Sequence, residues 1–120
     1  MTGADFRRLA LSLPETEERE HMHHPDFRVG GKIFATLGYP HEAWGMVKLI
    51  PDQQQEFVAA APGIFKPVKG GWGEKGCTNV LLQAAGMDRV RQALSTAWEN
   101  AASKKPKRSP GKARPQPKTR

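Results

Sequence analysis

The residues with the clearest chemical potential are histidines in the stretch EHMHHPDFRVGGKIF, residues 20–34. His21, His23 and His24 fall within four positions. In an extended segment His21 and His23 point to the same side, and such a pair can supply two metal ligands. His24, Asp26 or His41 could complete the set. The alternative is a partly exposed strand end whose imidazoles pair with neighbouring glutamates. We favour this alternative and assign no metal ligand.

Three other patterns could carry chemistry, but none has the residues of a catalytic site. The acidic run at residues 15–20 is typical of a solvated face. The glycines at residues 70–73 lack the glycine–lysine–hydroxyl spacing of a phosphate-binding loop. Cys77, the single cysteine, has Lys75 nearby but no neighbouring histidine to act as a base, so we interpret it as a small apolar residue at a strand start. We therefore expect no enzymatic activity and no cofactor.

The net charge of +7 belongs to one part of the chain. Residues 1–102 hold 11 Lys and Arg against 12 Asp and Glu, whereas residues 103–120 hold 8 Lys and Arg and no acid. The second segment also has four prolines and no aliphatic side chain larger than alanine. Such a segment cannot bury enough apolar surface to offset its ordering entropy. We predict one folded domain over residues 1–102 and a disordered basic tail over residues 103–120.

Apolar spacing predicts a helix at each end of the domain. Phe6 and Leu9 belong to an apolar stripe with helical period over about residues 2–13, and Pro14 ends that helix. The region 88–102 has the most regular helical period in the chain. Each helix presents one apolar stripe, which must pack on the remainder of the domain.

Between the terminal helices the sequence predicts a β-hairpin. Gly30 and Gly31 lie between two apolar runs, and both central residues of a type I′ turn need positive φ. With a two-residue loop, the register pairs Val29 with Lys32, Arg28 with Ile33 and Phe27 with Phe34.

The central and later parts of the domain supply further strands and one short helix. Residues 43–50 alternate as a strand, and a short helix is expected over residues 51–61. Brief strands near residues 64–66 and 78–82 flank a glycine-rich segment. These elements predict an α+β domain.

Taken in order, these motifs resemble the MmcQ/YjbR-like family of small proteins. The resemblance covers about residues 4–102 and rests on FRRLALSLPETEE, HPDFRVGGKIFATL, VKLIPDQQQEFV, PGIFKPVKGGWGEKGCTNVLL and the Ala-Trp pair of the last helix. It implies an α+β, CyaY-like fold, in which helices pack on an antiparallel sheet, described as a double-wing DNA-binding module. The basic tail is not part of the shared pattern.

The charge pattern and the resemblance together predict a DNA-binding surface with low sequence specificity. Phosphate contacts need long donors and a close approach of the backbone, which glycine-rich loops allow. The candidate contacts in the domain are Arg28, Lys32, Lys48, Lys66, Lys69, Trp72 and Lys75. Those in the tail are Lys104, Lys105, Lys107, Arg108, Lys112 and Arg114. The alternative is that Trp72 caps the core and the lysines keep the surface soluble.

Two other classes of function stay open. One is a ligand- or metal-binding domain that uses His21, His23 and the GGWG segment. The other is a protein-interaction module, which requires Trp44, Met46 and Trp72 to form one exposed apolar patch. The sequence has no apolar run of membrane-spanning length and no signal-peptide pattern, so we expect a cytoplasmic monomer.

Overall fold

The computed structural model describes residues 1–38 and 42–103. Within these residues, four α-helices pack with a six-stranded antiparallel sheet. The helices are α1 (Gly3–Leu11), α2 (Pro51–Ala60), α3 (Gly71–Glu74) and α4 (Met87–Ala102). The strands are β1 (Glu17–His21), β2 (His24–Val29), β3 (Lys32–Leu37), β4 (Trp44–Lys48), β5 (Phe65–Pro67) and β6 (Cys77–Leu81).

The strands lie side by side in the order β1-β2-β3-β4-β6-β5. Every neighbouring pair is antiparallel. Strand β6 therefore enters between β4 and β5, which brings the glycine-rich segment before β6 to the end of β4. The α+β class, the antiparallel sheet and the helices packed on it confirm the predicted fold.

One face of the sheet forms the core with α1 and α4. Phe27 on β2 and Val47 on β4 are fully buried on this face, and the ring of Phe6 from α1 lies 6.1 Å from that of Phe27. Leu94 of α4 belongs to the same cluster. The core thus fixes the positions of the ends of β2, β3 and β4 relative to α4.

Helix α1 begins with a capping box in which Thr2 and Asp5 exchange hydrogen bonds of 3.1 and 2.9 Å. It ends at Leu11, two residues before the predicted end, and Ser12 is its C-cap. The Ser12 hydroxyl donates to the Leu9 carbonyl at 2.7 Å, and this local bond closes the last turn.

The β2–β3 hairpin has the predicted turn, but one of its predicted pairs is wrong. Gly30 and Gly31 have φ of 59° and 80°, as a type I′ turn requires. A β-bulge then shifts the register, so Phe27 pairs with Ala35 and not with Phe34. Phe34 and Ala35 are both fully buried, and the bulge allows two consecutive residues to enter the core.

Strand β4, helix α2 and strands β5 and β6 lie where the sequence predicted them, but the glycine-rich segment differs. There the structure contains helix α3, which the apolar pattern of the sequence does not predict. Helix α4 ends at Ala102, and from Lys104 onward the predicted disordered tail lies outside the described residues. No helix in residues 1–38 and 42–103 is long and apolar enough to cross a bilayer.

We expect Gly45→Ala to destabilise the domain, because a Cβ at this position would lie 2.8 Å from Cε2 of the buried Phe6 ring. Overpacking of this kind costs roughly 1–3 kcal/mol. Gly63→Ala is the matched control, because an added Cβ there meets nothing within 4 Å. Urea unfolding of both variants checks this; similar stabilities for the two would contradict the described packing of Phe6 against β4.

Candidate nucleic-acid interface

A groove with three cationic side chains lies at one end of the sheet. It has a volume of about 460 Å³ and is bounded by the β2–β3 turn, the end of β4 and the last turns of α4. Arg28, Lys32 and Lys48 supply its positive charge. The other lining residues are Gly31, Ile33, Leu49, Ile50, Ala97, Asn100 and Ala101. The groove therefore combines an apolar floor with a cationic rim.

The basic tail follows directly from the helix that forms one wall of this groove. Ala101 lines the groove, α4 ends at Ala102, and Ser103 is the C-cap. Lys104 is the next residue in the sequence. The tail is thus attached at one wall of the groove that holds Arg28, Lys32 and Lys48, and it adds 8 positive charges to the chain from this point.

A second cationic cluster surrounds Trp72 on α3. The ammonium group of Lys48 lies 5.9 Å from the centre of the Trp72 ring, and that of Lys75 lies 5.7 Å from it. Both distances are within the range of cation–π attraction. The Trp72 side chain is 63% exposed, so it does not cap the core. Lys48 belongs to the groove and to this cluster and therefore connects them.

The segment that carries Trp72, residues 70–76, is held by contacts with α2 and with the residues around it. The buried side chain of Gln54, on α2, donates to the carbonyls of Gly73 and Cys77, both at 3.0 Å. A Cβ at Gly73 would lie 1.6 Å from the Val68 carbonyl oxygen, and one at Gly76 would lie 2.1 Å from that of Leu49. Only glycine allows these approaches, and the second one seats the segment against Leu49, the residue after β4.

Arg28 is not a free cation, because it is paired with Asp26. Its Nε and Nη2 donate to the Asp26 carboxylate at 2.7 and 3.1 Å, and His21 Nδ1 donates to the same carboxylate at 2.7 Å. The hydrogen bonds from Arg28 and then from His21 hold the pKa of Asp26 below its ordinary value, and the pKa of Arg28 is raised by the same carboxylate.

The Asp26 side chain is fully buried, but the two side chains that bury it are partly exposed. The side chains of Arg28 and His21 that shield it are themselves 26% and 46% exposed. The carboxylate therefore lies just beneath the surface and accepts three hydrogen bonds. Its negative charge partly neutralises Arg28 and so weakens the attraction of Arg28 for an anionic ligand.

The YjbR family model matches residues 11–100. The chain belongs to the YjbR family. The fold of this YjbR domain is similar to the crystal structure of Deinococcus radiodurans protein DR2400, which has a DUF419 domain. The similarity has a TM-score of 0.71 at 17% identity and covers 89% of this chain and 83% of the other. None of the curated proteins matches this chain.

The YjbR domain brings together some of the predicted contact residues and separates others. Arg28, Lys32 and Lys48 share the groove, and Lys48, Trp72 and Lys75 share the second cluster. Lys66 is exposed on β5, in a cross-strand row with Asn79 of β6 and Met46 of β4, which places it on the sheet face opposite the core.

Lys69 is exposed between β5 and α3, and no described contact joins it to either cluster. The predicted tail contacts lie outside the described residues. They are Lys104, Lys105, Lys107, Arg108, Lys112 and Arg114.

The predicted geometry of the histidines is wrong. Met22 and His23 form the tight turn between β1 and β2, with φ of 51° and 68°, and His21 pairs across the hairpin with His24. His21 and His23 therefore do not share one side of a strand. In residues 1–38 and 42–103, no three His, Cys, Asp or Glu side chains come together to hold a metal ion. His41 lies outside the described residues.

Two residues that organise the interface were missed in the sequence. Gln54 was not distinguished from its neighbours, although a polar residue on the inward side of an otherwise apolar helix face is a signal. Asp26 was considered only as a metal ligand, whereas its i+2 spacing from Arg28 on one strand face indicates an ion pair. Cys77 is buried at the start of β6, and burial raises the pKa of its thiol, as expected for a packing residue.

We expect Gln54→Met to loosen the Trp72 segment. The substitution removes two buried hydrogen bonds, each worth about 1 kcal/mol, while the two carbonyls keep their bonds from Gly76 and Val68. Faster amide exchange at Lys75 and Gly76, together with lower stability in urea, would show the effect. Gln55→Met on the exposed face is the control; equal changes in both variants would contradict the anchoring role of Gln54.

We expect Asp26→Asn to lower stability at neutral pH by about 1–3 kcal/mol, because it weakens charge-assisted hydrogen bonds. The pKa of Asp26 is lower in the folded state than in the unfolded state. Its carboxylate therefore contributes its full stabilisation above the unfolded-state pKa of about 4, and this stabilisation is lost as the pH falls through the folded-state pKa. The difference between wild type and variant should therefore shrink below about pH 4. Asp88→Asn is the control, because the Asp88 side chain is 95% exposed. A pH-independent difference for Asp26→Asn would contradict this role of Asp26.

Proposed function

We propose that this YjbR domain is a monomeric, non-enzymatic DNA-binding protein with low sequence specificity. The observation that carries the proposal is the juxtaposition of the three groove cations with the attachment point of the basic tail. The groove positions the domain on the phosphate backbone, and the tail supplies most of the affinity. The cation cluster at Trp72 extends the positive surface beyond the groove.

The distribution of charge supports a polyanion as the partner. The folded part is nearly neutral as a whole, so a ligand is attracted by its local cation clusters and by the tail. Extended segments with many uncompensated positive charges bind phosphate backbones by releasing condensed counterions.

The chemistry of the contacts supports low selectivity. Lysine ammonium groups contact phosphates as point charges, and such contacts position a protein without reading the base sequence. Arg28, which could make a bidentate contact, already donates two hydrogen bonds to Asp26. The proposal assigns no cofactor and no catalytic residue.

A second candidate function is the binding of a small anionic ligand in the groove. The groove volume lies within the range of small-molecule sites, and its apolar floor and cationic rim suit a ligand with one apolar and one anionic part. A thermal shift produced by such ligands but not by oligonucleotides would favour this candidate. A protein-interaction module has weaker support, because Trp72 is exposed but Trp44 and Met46 are half-buried.

We expect the tail to dominate the salt dependence of DNA binding. If about six tail charges neutralise phosphates, the slope of log K against log salt is near −5. Replacing the 8 tail Lys and Arg by Gln, or deleting residues 103–120, should remove most of that slope. Electrophoretic shifts of a duplex across a salt series provide the measurement. An unchanged slope would contradict the proposal that the tail supplies most of the affinity.

The groove should supply the part of the affinity that remains. In the tail-neutralised protein, Lys32→Glu and Lys48→Glu should each weaken duplex binding about 3- to 10-fold through loss of a phosphate contact and repulsion. Arg89→Glu is the matched control, because it makes the same change of charge on an exposed residue near the other end of α4. Equal weakening by all three substitutions would indicate a net-charge effect and no groove contact.

A further inference from the structure

Trp72 is exposed in a way that packing does not explain. Among the described residues it is the only aromatic side chain with large exposure, at 63%. An exposed indole does not contribute the stabilisation that burial of its apolar surface would give. The core aromatic residues Phe6, Phe27, Phe34 and Phe65 are fully buried, so the domain has apolar residues enough for its interior without Trp72.

The backbone that carries the exposed ring is also held in place. Helix α3 is fixed beneath it by the two hydrogen bonds of Gln54 and by the close approaches of Gly73 and Gly76. The N–H of Lys75 also donates to the Gly71 carbonyl at 3.1 Å, which closes the turn that carries Trp72. A rigid aromatic platform binds a ligand with little loss of conformational entropy.

The cations beside the ring determine which kind of ligand fits it. The ammonium groups of Lys48 and Lys75 lie within 6 Å of the ring centre. A nucleotide that stacked its base on the ring would place its phosphates within reach of these groups. Bases in a duplex already stack on each other and offer only their edges, whereas an unpaired base offers its face.

We propose that Trp72 is a stacking platform for an unpaired base and that this surface prefers single-stranded nucleic acid to duplex. The inference rests on the proposed nucleic-acid binding and adds the class of strand. The phosphates on either side of the stacked base contact Lys48 and Lys75, and the strand continues from Lys48 into the groove.

The test compares the full-length protein with Trp72→Ala and Trp72→Phe on an oligo(dT) strand, an oligo(rU) strand and a duplex of equal length. Trp72→Ala should weaken single-strand binding about 5- to 150-fold, the range expected for one stacked base. Duplex binding should change less than about 2-fold, and Trp72→Phe should restore most of the single-strand affinity. The salt slope should stay unchanged, because stacking releases no phosphate counterions.

Met22→Ala is the matched control, since it removes an exposed apolar side chain, 82% accessible, at the β1–β2 turn. It should leave all three affinities unchanged. Thermal unfolding of each variant establishes that the fold is retained.

The outcomes separate this inference from the proposed function. If neither single strands nor duplex bind, the proposed function is wrong and the inference falls with it. If all strands bind but Trp72→Ala has no effect, the proposed function stands and the stacking platform is wrong. Equal weakening of single-strand and duplex binding would also overturn the inference, because it indicates a wedge between base pairs.

Discussion

The candidate interface of this YjbR domain depends on the buried side-chain amide of Gln54. Its two hydrogen bonds join α2 to α3 and to the first residue of β6. A buried amide group without hydrogen-bond partners would be destabilising, because its donors would lose their bonds to water. The amide therefore favours the arrangement of the glycine-rich segment that brings two carbonyl groups to it. That arrangement places Trp72 and Lys75 beside Lys48, the last residue of β4.

The positive charge is divided unequally between the domain and the tail. Within the domain, acids nearly balance cations, and Asp26 compensates one of the three groove cations directly. The remaining local charges act over short distances, since screening at physiological salt limits exposed charges to about 8 Å. The tail contributes 8 cations that no acid in that segment balances. The folded part therefore presents small local clusters of cations, whereas residues 103–120 carry an unbalanced charge of +8.

The sequence predicted the elements whose patterns follow regular spacing. The stripes containing Phe6 and Leu94 predicted α1 and α4, because the core requires one apolar face on each helix. The Gly30-Gly31 pair predicted the β2–β3 turn, because few other residues accept positive φ at both positions. Lys48 and Trp72 were both among the predicted contact residues, although nothing in the sequence indicated that they meet.

The features that the sequence did not predict depend on contacts between distant residues or on unusual turn chemistry. The bulge at Phe34 lets two consecutive residues enter the core. A regular strand alternates buried and exposed residues, so its pattern does not predict such a bulge. Met22 and His23 adopt positive φ without glycine or asparagine, so no turn signal marked the β1–β2 hairpin. Helix α3 has only four residues, two of them glycine, and it is held by contacts with Gln54 of α2 and with Val68.

The most direct test of the central claim is a titration of ¹⁵N-labelled full-length protein with a short oligonucleotide, followed by amide chemical shifts. The account predicts that the affected amides form one continuous surface: the Gly30-Gly31 turn, the end of β4, α3 and the last turn of α4. Changes confined to residues 103–120, or centred on β1 and the start of α1, would contradict it.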